Sequence, residues 1–174
     1  PSRDRPEYWI PEECVVPWFT LADVHQIRDG RREVVTETSE HLSEAGIANS
    51  AAVKHPAGTV LLSRTASVGF SAVMGVDMAV SQDFMTWTCG PKLDPFYLLV
   101  ALRAMQPELR RLMQGSTHKT IYMPDLHALR IPLPPLDRQR EIVAQARAKA
   151  AAVWPLVDET VELQRCLAEY RDAL

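Results

Sequence analysis

Three prolines separate a short apolar stretch from a long amphipathic pattern, and they constrain the fold more than any other feature of the sequence. Pro132, Pro134 and Pro135 each fix φ and lack an N–H donor, so neither a sheet nor a helix is expected to run through them. Asp137 comes next and has the side chain of an N-cap for a helix beginning at Arg138. The sequence therefore predicts a rigid exit from a compact domain into a helix.

The helix pattern divides the chain into a domain over residues 1–135 and a helix over residues 136–174. Positions at alternating steps of three and four along that helix carry apolar side chains, except for Lys149 and Thr160: Ala146, Val153, Leu156, Leu163, Leu167, Tyr170 and Leu174. Such spacing predicts a coiled-coil seam. Pro155 lies inside it and is expected to kink or restart the helix. Two interpretations stay open: packing onto its own domain, or pairing with an external helix, which the length of the seam favours.

The first 135 residues predict an α+β fold, in which packed helices cover a small mixed sheet. Strands are expected at Thr59–Leu62, Ser71–Met74, Met78–Ser81 and Phe84–Thr88, with closing strands at Ile121–Met123 and Leu129–Leu133. Helices are expected from a Thr38 or Ser39 cap through Leu42 with Gly46 ending it, from an Asp94 cap with Pro95 at the first position, and again from Pro107.

Composition bounds the location and chemistry of the chain. At 174 residues with a net charge of −3, it is large enough for a core, and no apolar run is long enough to cross a membrane. The three cysteines form no Cys-x-x-Cys pair, which predicts a reduced, cytoplasmic, metal-free protein. The overall charge does not favour nucleic-acid binding.

The distribution of charge changes that picture. Residues 64–135 carry 7 Lys and Arg against 5 Asp and Glu and are the only net-positive part of the chain. The cationic and charge-capable side chains within a short span of this part are Arg103, Arg110, Arg111, His118 and Lys119. They suit a phosphate-facing patch, although a solvated helix face explains the same charges.

Three polar loops are the candidate functional segments. They follow or interrupt apolar strands at residues 63–69, 81–83 and 115–120. Arg and Gln suit base edges, whereas Lys, Ser and Thr suit phosphates, so the loops together favour DNA contact over catalysis. The phosphate-loop, zinc-protease and nucleophile-elbow motifs are absent from the sequence, and Ser116, His118 and Asp125 are too close in sequence to form a plausible triad.

Four segments, in order and at matching distances, resemble the specificity subunits of type I restriction-modification systems. They are Gly46 to Ser50, Pro56 to Gly69, Gly115 to Lys119, and the corner from Ile131 to Val143. The resemblance implies one target recognition domain followed by a conserved coiled-coil helix. The family has two such domains in a whole subunit, so the chain is expected to be a fragment or a half-sized subunit that dimerises.

The resemblance also implies function and partners. The chain would be non-catalytic and carry no cofactor: it would bind double-stranded DNA, while modification subunits use S-adenosylmethionine to methylate adenine and a restriction and motor subunit cuts. It would pair through its helix with a second recognition domain or another copy. The candidate DNA-binding residues are Arg64, Thr65, Ser67, Gln82, Ser116, Thr117, His118 and Lys119.

Two other functions remain open. The nearer alternative is a DNA recognition domain from a larger methyltransferase or a single-chain restriction enzyme, in which the same domain is fused to a catalytic domain. From a different class, the helix suits a protein-interaction module that never contacts DNA.

Overall fold

A computed structural model describes residues 1–115 and 119–172. Within these ranges, eight strands form two four-stranded sheets, of order β3-β1-β7-β4 and β2-β6-β5-β8. The strands are β1 Val16–Phe19, β2 Val34–Val35, β3 Glu40–Leu42, β4 Val53–His55, β5 Val60–Ser63, β6 Ser71–Met74, β7 Met78–Val80 and β8 Phe84–Trp87. The helices are α1 Glu44–Ala48, α2 Pro95–Ala104, α3 Gln106–Leu112, α4 Met123–Ala128 and α5 Leu136–Asp172, with 3-10 helices at Pro6–Tyr8 and Leu21–Ile27.

The two sheets and the helices form layers, and β5 shows how the sequence builds them. Leu61 is fully buried in the cluster between the two sheets, whereas Val60 and Leu62 are buried in the cluster beneath α2, α3 and α4. Successive side chains of a strand point to opposite faces, so a continuous apolar run suits a strand that is covered on both sides. A third cluster around Val16 and Leu42 packs on the outer face of the first sheet. The α+β prediction is confirmed, with two small sheets in place of one.

The predicted helix beginning at Thr38 or Ser39 is wrong. Thr38 Oγ1 accepts from Trp18 N at 3.1 Å and donates to the Glu40 carbonyl at 2.6 Å, which holds the segment beside β1 as the strand β3. The helix starts later, where the Ser43 hydroxyl caps α1 by accepting from Gly46 N at 3.0 Å. Gly46 therefore lies inside the helix.

The two predicted closing strands are also wrong. Met123 opens the short helix α4, with Pro124 in its first turn, where a missing N–H costs no intrahelical bond. Residues 129–135 form no regular element and connect α4 to α5. The Tyr97 hydroxyl donates to the Pro132 carbonyl at 2.9 Å, so a side chain of α2 fixes this connection in place of a neighbouring strand.

The helix α2 follows the prediction closely. Asp94 Oδ1 accepts from Phe96 N at 2.8 Å and from Tyr97 N at 3.2 Å, and Pro95 takes the first helical position. A new helix, α3, begins beside Pro107 as expected. The proline corner lies near the start of α2 and the 63–69 loop lies near its end, where Gln106 Nε2 donates to the Gly69 carbonyl at 2.6 Å.

The corner itself is held by Gln139. This side chain is fully buried, and its Nε2 donates to the carbonyls of Lys92 at 2.9 Å and Pro134 at 2.7 Å. Its Oε1 accepts from Asp94 N at 2.8 Å, so one amide joins the first turn of α5 to the start of α2. The helix begins at Leu136, and Asp137 lies exposed in its first turn as a partner of Arg140, so the predicted Asp137 cap is wrong.

The long helix does not restart at Pro155, which lies inside α5. Its first half lies against the domain: Val143 is buried, Arg147 Nη2 pairs with Glu33 Oε2 at 2.6 Å, and Arg31 stacks over the Trp154 ring at 4.9 Å. Packing onto the domain is therefore confirmed for the first half of the helix, and pairing of the remainder with an external helix stays a prediction. The division at residue 135 stays a prediction, because the start of the helix is packed on the domain.

Candidate nucleic-acid interface

Three polar segments meet at one end of the second sheet, and we call this surface the loop edge: residues 63–69, 81–83 and 119–121. The C-terminal end of β5 lies beside the start of β8, so Arg64 N donates to the Asp83 carbonyl at 2.9 Å. Ala66 N donates to the Lys119 carbonyl at 2.8 Å, and Ile121 N donates to the Arg64 carbonyl at 2.9 Å. Backbone pairing therefore joins segments that are more than 50 residues apart in sequence.

The 63–69 loop reverses tightly between β5 and β6. Gly69 N donates to the Ser63 carbonyl at 2.8 Å, and Gly69 has φ +92°. Ala66 also has a positive φ, of 57°, which L residues adopt only where surrounding bonds hold them. Gly69 therefore serves the backbone geometry of the turn. The loop is thus a fixed support for side chains.

Arg64 ties the loop edge together. Its Nε donates to the Gln82 carbonyl at 3.0 Å, and its Nη1 donates to the Ile121 carbonyl at 3.4 Å. The guanidinium thus connects all three segments while the residue remains partly exposed. Its predicted role in reading a base stays a prediction; the observed role is structural.

The other candidate residues lie on the same surface. Thr65 forms an isolated bridge with Thr120, and Ser67 Oγ accepts from Arg28 Nη2 at 3.3 Å. Gln82 and Lys119 are exposed. The candidates Ser116, Thr117 and His118 lie outside the described residues. The structure therefore brings together the five described candidates.

The predicted basic patch is only partly present. Arg103 donates to the carbonyls of Gly30 at 2.8 Å and Arg32 at 2.7 Å, and burial lowers the pKa of its guanidinium. It is a structural cation and is removed from the patch. Arg111 pairs with Glu108 along its own helix at 3.2 Å. Backbone carbonyl groups and a neighbouring acid therefore account for two of the five predicted charges.

Arg28 is a cation beside the loop edge that was not among the residues predicted from the sequence. Its contact with Ser67 joins the end of the Leu21–Ile27 3-10 helix to the 63–69 loop. Within the described ranges, no ion pair involves Arg28, Arg110 or Lys119. Arg110 stands one helical turn after Gln106, which donates to Gly69, so it shares the side of α3 nearest the loop. The only sequence signal for Arg28 was its place near Arg31 and Arg32.

The acidic residue of the loop edge is Asp83. Its Oδ2 accepts from Ser81 Oγ at 3.0 Å, which directs this carboxylate into its own turn. The loop edge and the adjacent Arg28 and Arg110 therefore combine an exposed amide and hydroxyl groups with three cations that have no ion-pair partner among the described residues. That set suits phosphate oxygens and base edges.

The connection to α5 is electrostatic as well as apolar. Arg31 Nη1 donates to Asp158 Oδ2 at 3.1 Å, and this hydrogen bond holds the pKa of the Asp158 carboxyl below its ordinary value. Arg147 also lies over the Phe96 ring at 4.7 Å. A groove of about 780 Å³ separates the 27–34 segment from the helix between these contacts. Charged side chains on both walls thus fix the helix against the domain.

Fold and loop edge together define a binding domain carried on a helix. Across residues 1–115 and 119–172 there is no group of three or more His, Cys, Asp or Glu side chains suited to a metal ion. No helix in the described part of the chain is both long and apolar enough to cross a membrane.

The chain belongs to the family described as the Type I restriction modification DNA specificity domain, whose pattern matches residues 10–145. It is 26% identical over 147 residues to the type I restriction enzyme MjaIX specificity subunit of Methanocaldococcus jannaschii, covering 82% of this chain and 32% of that protein. The putative MjaX specificity subunit of the same organism is 31% identical over 74 residues, which are 42% of this chain and 16% of that protein. The resemblance found in the sequence is confirmed.

Solved structures show the same fold. A chain from a structure of complex assembly and conformational transition in the type I R-M system aligns with a TM-score of 0.61 and 28% identity, covering 86% of this chain and 35% of that one. The HsdS subunit from Thermoanaerobacter tengcongensis aligns with a TM-score of 0.61 and 24% identity, over 89% of this chain and 35% of that one. The chain thus spans about a third of the length of each of these structures.

Proposed function

We propose that this chain is a DNA-recognition domain of a type I restriction-modification specificity subunit, which selects the sequence that partner subunits methylate or cut and does no covalent chemistry itself. One observation carries the proposal: chain segments distant in sequence place Arg28, Gln82 and Lys119 on one surface, with no ion-pair partner for either cation among the described residues. Family membership supports double-stranded DNA as the ligand that we propose for that surface.

Different residues of this surface contact the phosphates and the bases of the DNA. Lys119, Arg28 and Arg110 neutralise phosphates, because exposed cations on a neutral or acidic protein supply the attraction that DNA binding requires. Gln82 reads a base edge, since its exposed amide both donates and accepts, as adenine does in the major groove. Arg64 positions the three segments through its two carbonyl contacts. Thr65, Ser67 and the segment from Ser116 to His118 complete the proposed contact surface.

The exposed seam of α5 is the proposed assembly surface. Five of its apolar members are at least half exposed: Val153 50%, Leu156 62%, Leu163 59%, Leu167 68% and Tyr170 68%. At 100° per residue, this seam lies about 150° around the helix from the side that packs on the domain. The helix can therefore hold its own domain and a partner helix at once.

The partner helix comes from a second recognition domain or a second copy of this chain. Modification subunits that use S-adenosylmethionine and a restriction and motor subunit complete the proposed complex. This chain itself needs no cofactor for recognition, and the cytoplasm is the proposed site of action because that is where the DNA substrate lies.

DNA binding is tested with the 174-residue chain and a labelled pool of random-sequence duplexes, titrated at several salt concentrations. Lys119→Ala is expected to weaken binding to all duplexes and to reduce the slope of log K against log salt by about one unit. Lys149→Ala is the matched control, because Lys149 is exposed on α5 and no salt bridge is recorded for it within the described ranges. Equal slopes for both variants would contradict the assignment of Lys119. Absence of binding at low salt would contradict DNA recognition and leave the helical interaction module.

A further inference from the structure

Two exposed apolar side chains stand directly beside the loop edge. Tyr122 is 53% exposed and Met123 is 40% exposed. They follow Ile121, whose N donates to the Arg64 carbonyl and whose carbonyl accepts from the Arg64 guanidinium. An aromatic ring thus adjoins a surface that is otherwise polar and cationic, where exposure to water costs free energy without any gain to the fold.

The backbone directs Tyr122 away from the core. Ile121 is fully buried in the cluster between the second sheet and the helices. Tyr122 has φ −78° and ψ 152°, which is extended backbone, and successive side chains of an extended chain point to opposite sides. Its carbonyl accepts from Asp125 N at 3.1 Å and Leu126 N at 3.2 Å, so the first turn of α4 fixes its backbone. The ring is therefore presented outward from a rigid support.

The phenol is free for a ligand. Within the described ranges, no hydrogen bond involves the Tyr122 hydroxyl, and no aromatic or cation contact involves its ring. Lys119 lies three residues before it, and the Arg64 contact brings the Gln82 turn to the same place. A ligand with negative charge around an apolar group would complement this arrangement.

We propose that Tyr122, with Met123 beside it, contacts the 5-methyl group of a thymine and is a specificity-determining residue; this rests on the proposed function. Phosphates are charged and the other base substituents in the major groove are polar, whereas the thymine methyl is the apolar substituent that a base edge presents there. Cations at the loop edge hold the DNA backbone, the Gln82 amide reads a polar edge, and the ring supplies the apolar contact that they lack.

The test compares thymine with deoxyuridine, which lacks only the methyl group. Duplexes selected by the unaltered chain from a random-sequence pool are resynthesised with deoxyuridine at each thymine in turn. At one position the replacement is expected to weaken binding by the unaltered chain about fourfold to tenfold. Tyr122→Ala loses the same factor on the thymine duplex and is insensitive to the replacement. Tyr122→Phe keeps the sensitivity, because the contact is apolar.

A control variant and a stability measurement separate this contact from folding. Leu133→Ala removes another exposed apolar side chain, 57% exposed in the proline corner near the opposite end of α2, and is expected to leave both affinities unchanged. Thermal unfolding checks that Tyr122→Ala folds. Equal deoxyuridine sensitivity in Tyr122→Ala and the unaltered chain would overturn the proposal, as would sensitivity at no position. Failure of the unaltered chain to bind any duplex would overturn the proposed function as well, so the two failures are distinct.

Discussion

Replacement of the buried Gln139 amide tests how the domain is joined to its helix. Gln139→Met keeps the length and volume of the side chain but removes three hydrogen bonds, to Lys92, Pro134 and Asp94. Each such bond contributes about 0.5–1.5 kcal/mol net, and the backbone groups left behind lie in a corner closed by prolines. The free energy of unfolding is therefore expected to fall by about 2–4 kcal/mol.

The measurement is urea denaturation, with thermal unfolding as a second probe. For a chain of this size, such a loss corresponds to a fall in Tm of about 5–15 °C. Gln145→Met is the matched control, since it makes the same substitution at an exposed position of the same helix and is expected to change stability by no more than about 0.5 kcal/mol. Equal stability of the two variants would refute the role assigned to the Gln139 amide.

Two further substitutions test the loop edge and the helix seam. Gly69→Ala is expected to lower the free energy of unfolding by about 2–4 kcal/mol in urea denaturation, because φ is +92° and a Cβ would lie 2.6 Å from Gln106 Nε2. Gly58→Ala, at φ +82° with open space around it, is expected to lower it by about 1–2 kcal/mol. Equal losses would show that the Gln106 contact is unimportant. Leu163→Lys is expected to weaken self-association of the chain at least tenfold in sedimentation, because it places a charge in the seam. Ala168→Lys, off the seam, controls for added charge, and equal loss in both variants would contradict the seam.

Local signals in the sequence predicted the elements that local chemistry decides. Asp94 and Pro95 fix the start of α2 through their own side chains, and the apolar run of β5 follows from burial on both faces. Thr38 was misread because a hydroxyl that can cap a helix can also bridge strands, and Trp18, twenty residues away, decides which occurs. Long-range partners therefore overrule short-range propensity here.

The candidate site was also predictable only where local sequence signals decide the structure. Polar loops after apolar strands pointed to residues 63–69 and 81–83, and pairing of β5 with β8 brings those loops together. The structural roles of Arg64 and Arg103 depend on carbonyl groups from distant segments, which no local pattern reveals. The sequence pattern predicts a strand that includes Tyr122, and this prediction gives no sign that the Tyr122 side chain is exposed.

The most direct test of DNA recognition is the map of methylated adenines in the source genome with and without the gene for this chain. The account predicts that one bipartite methylation motif disappears on deletion and returns when the unaltered gene is restored. An unchanged set of methylated motifs would contradict it.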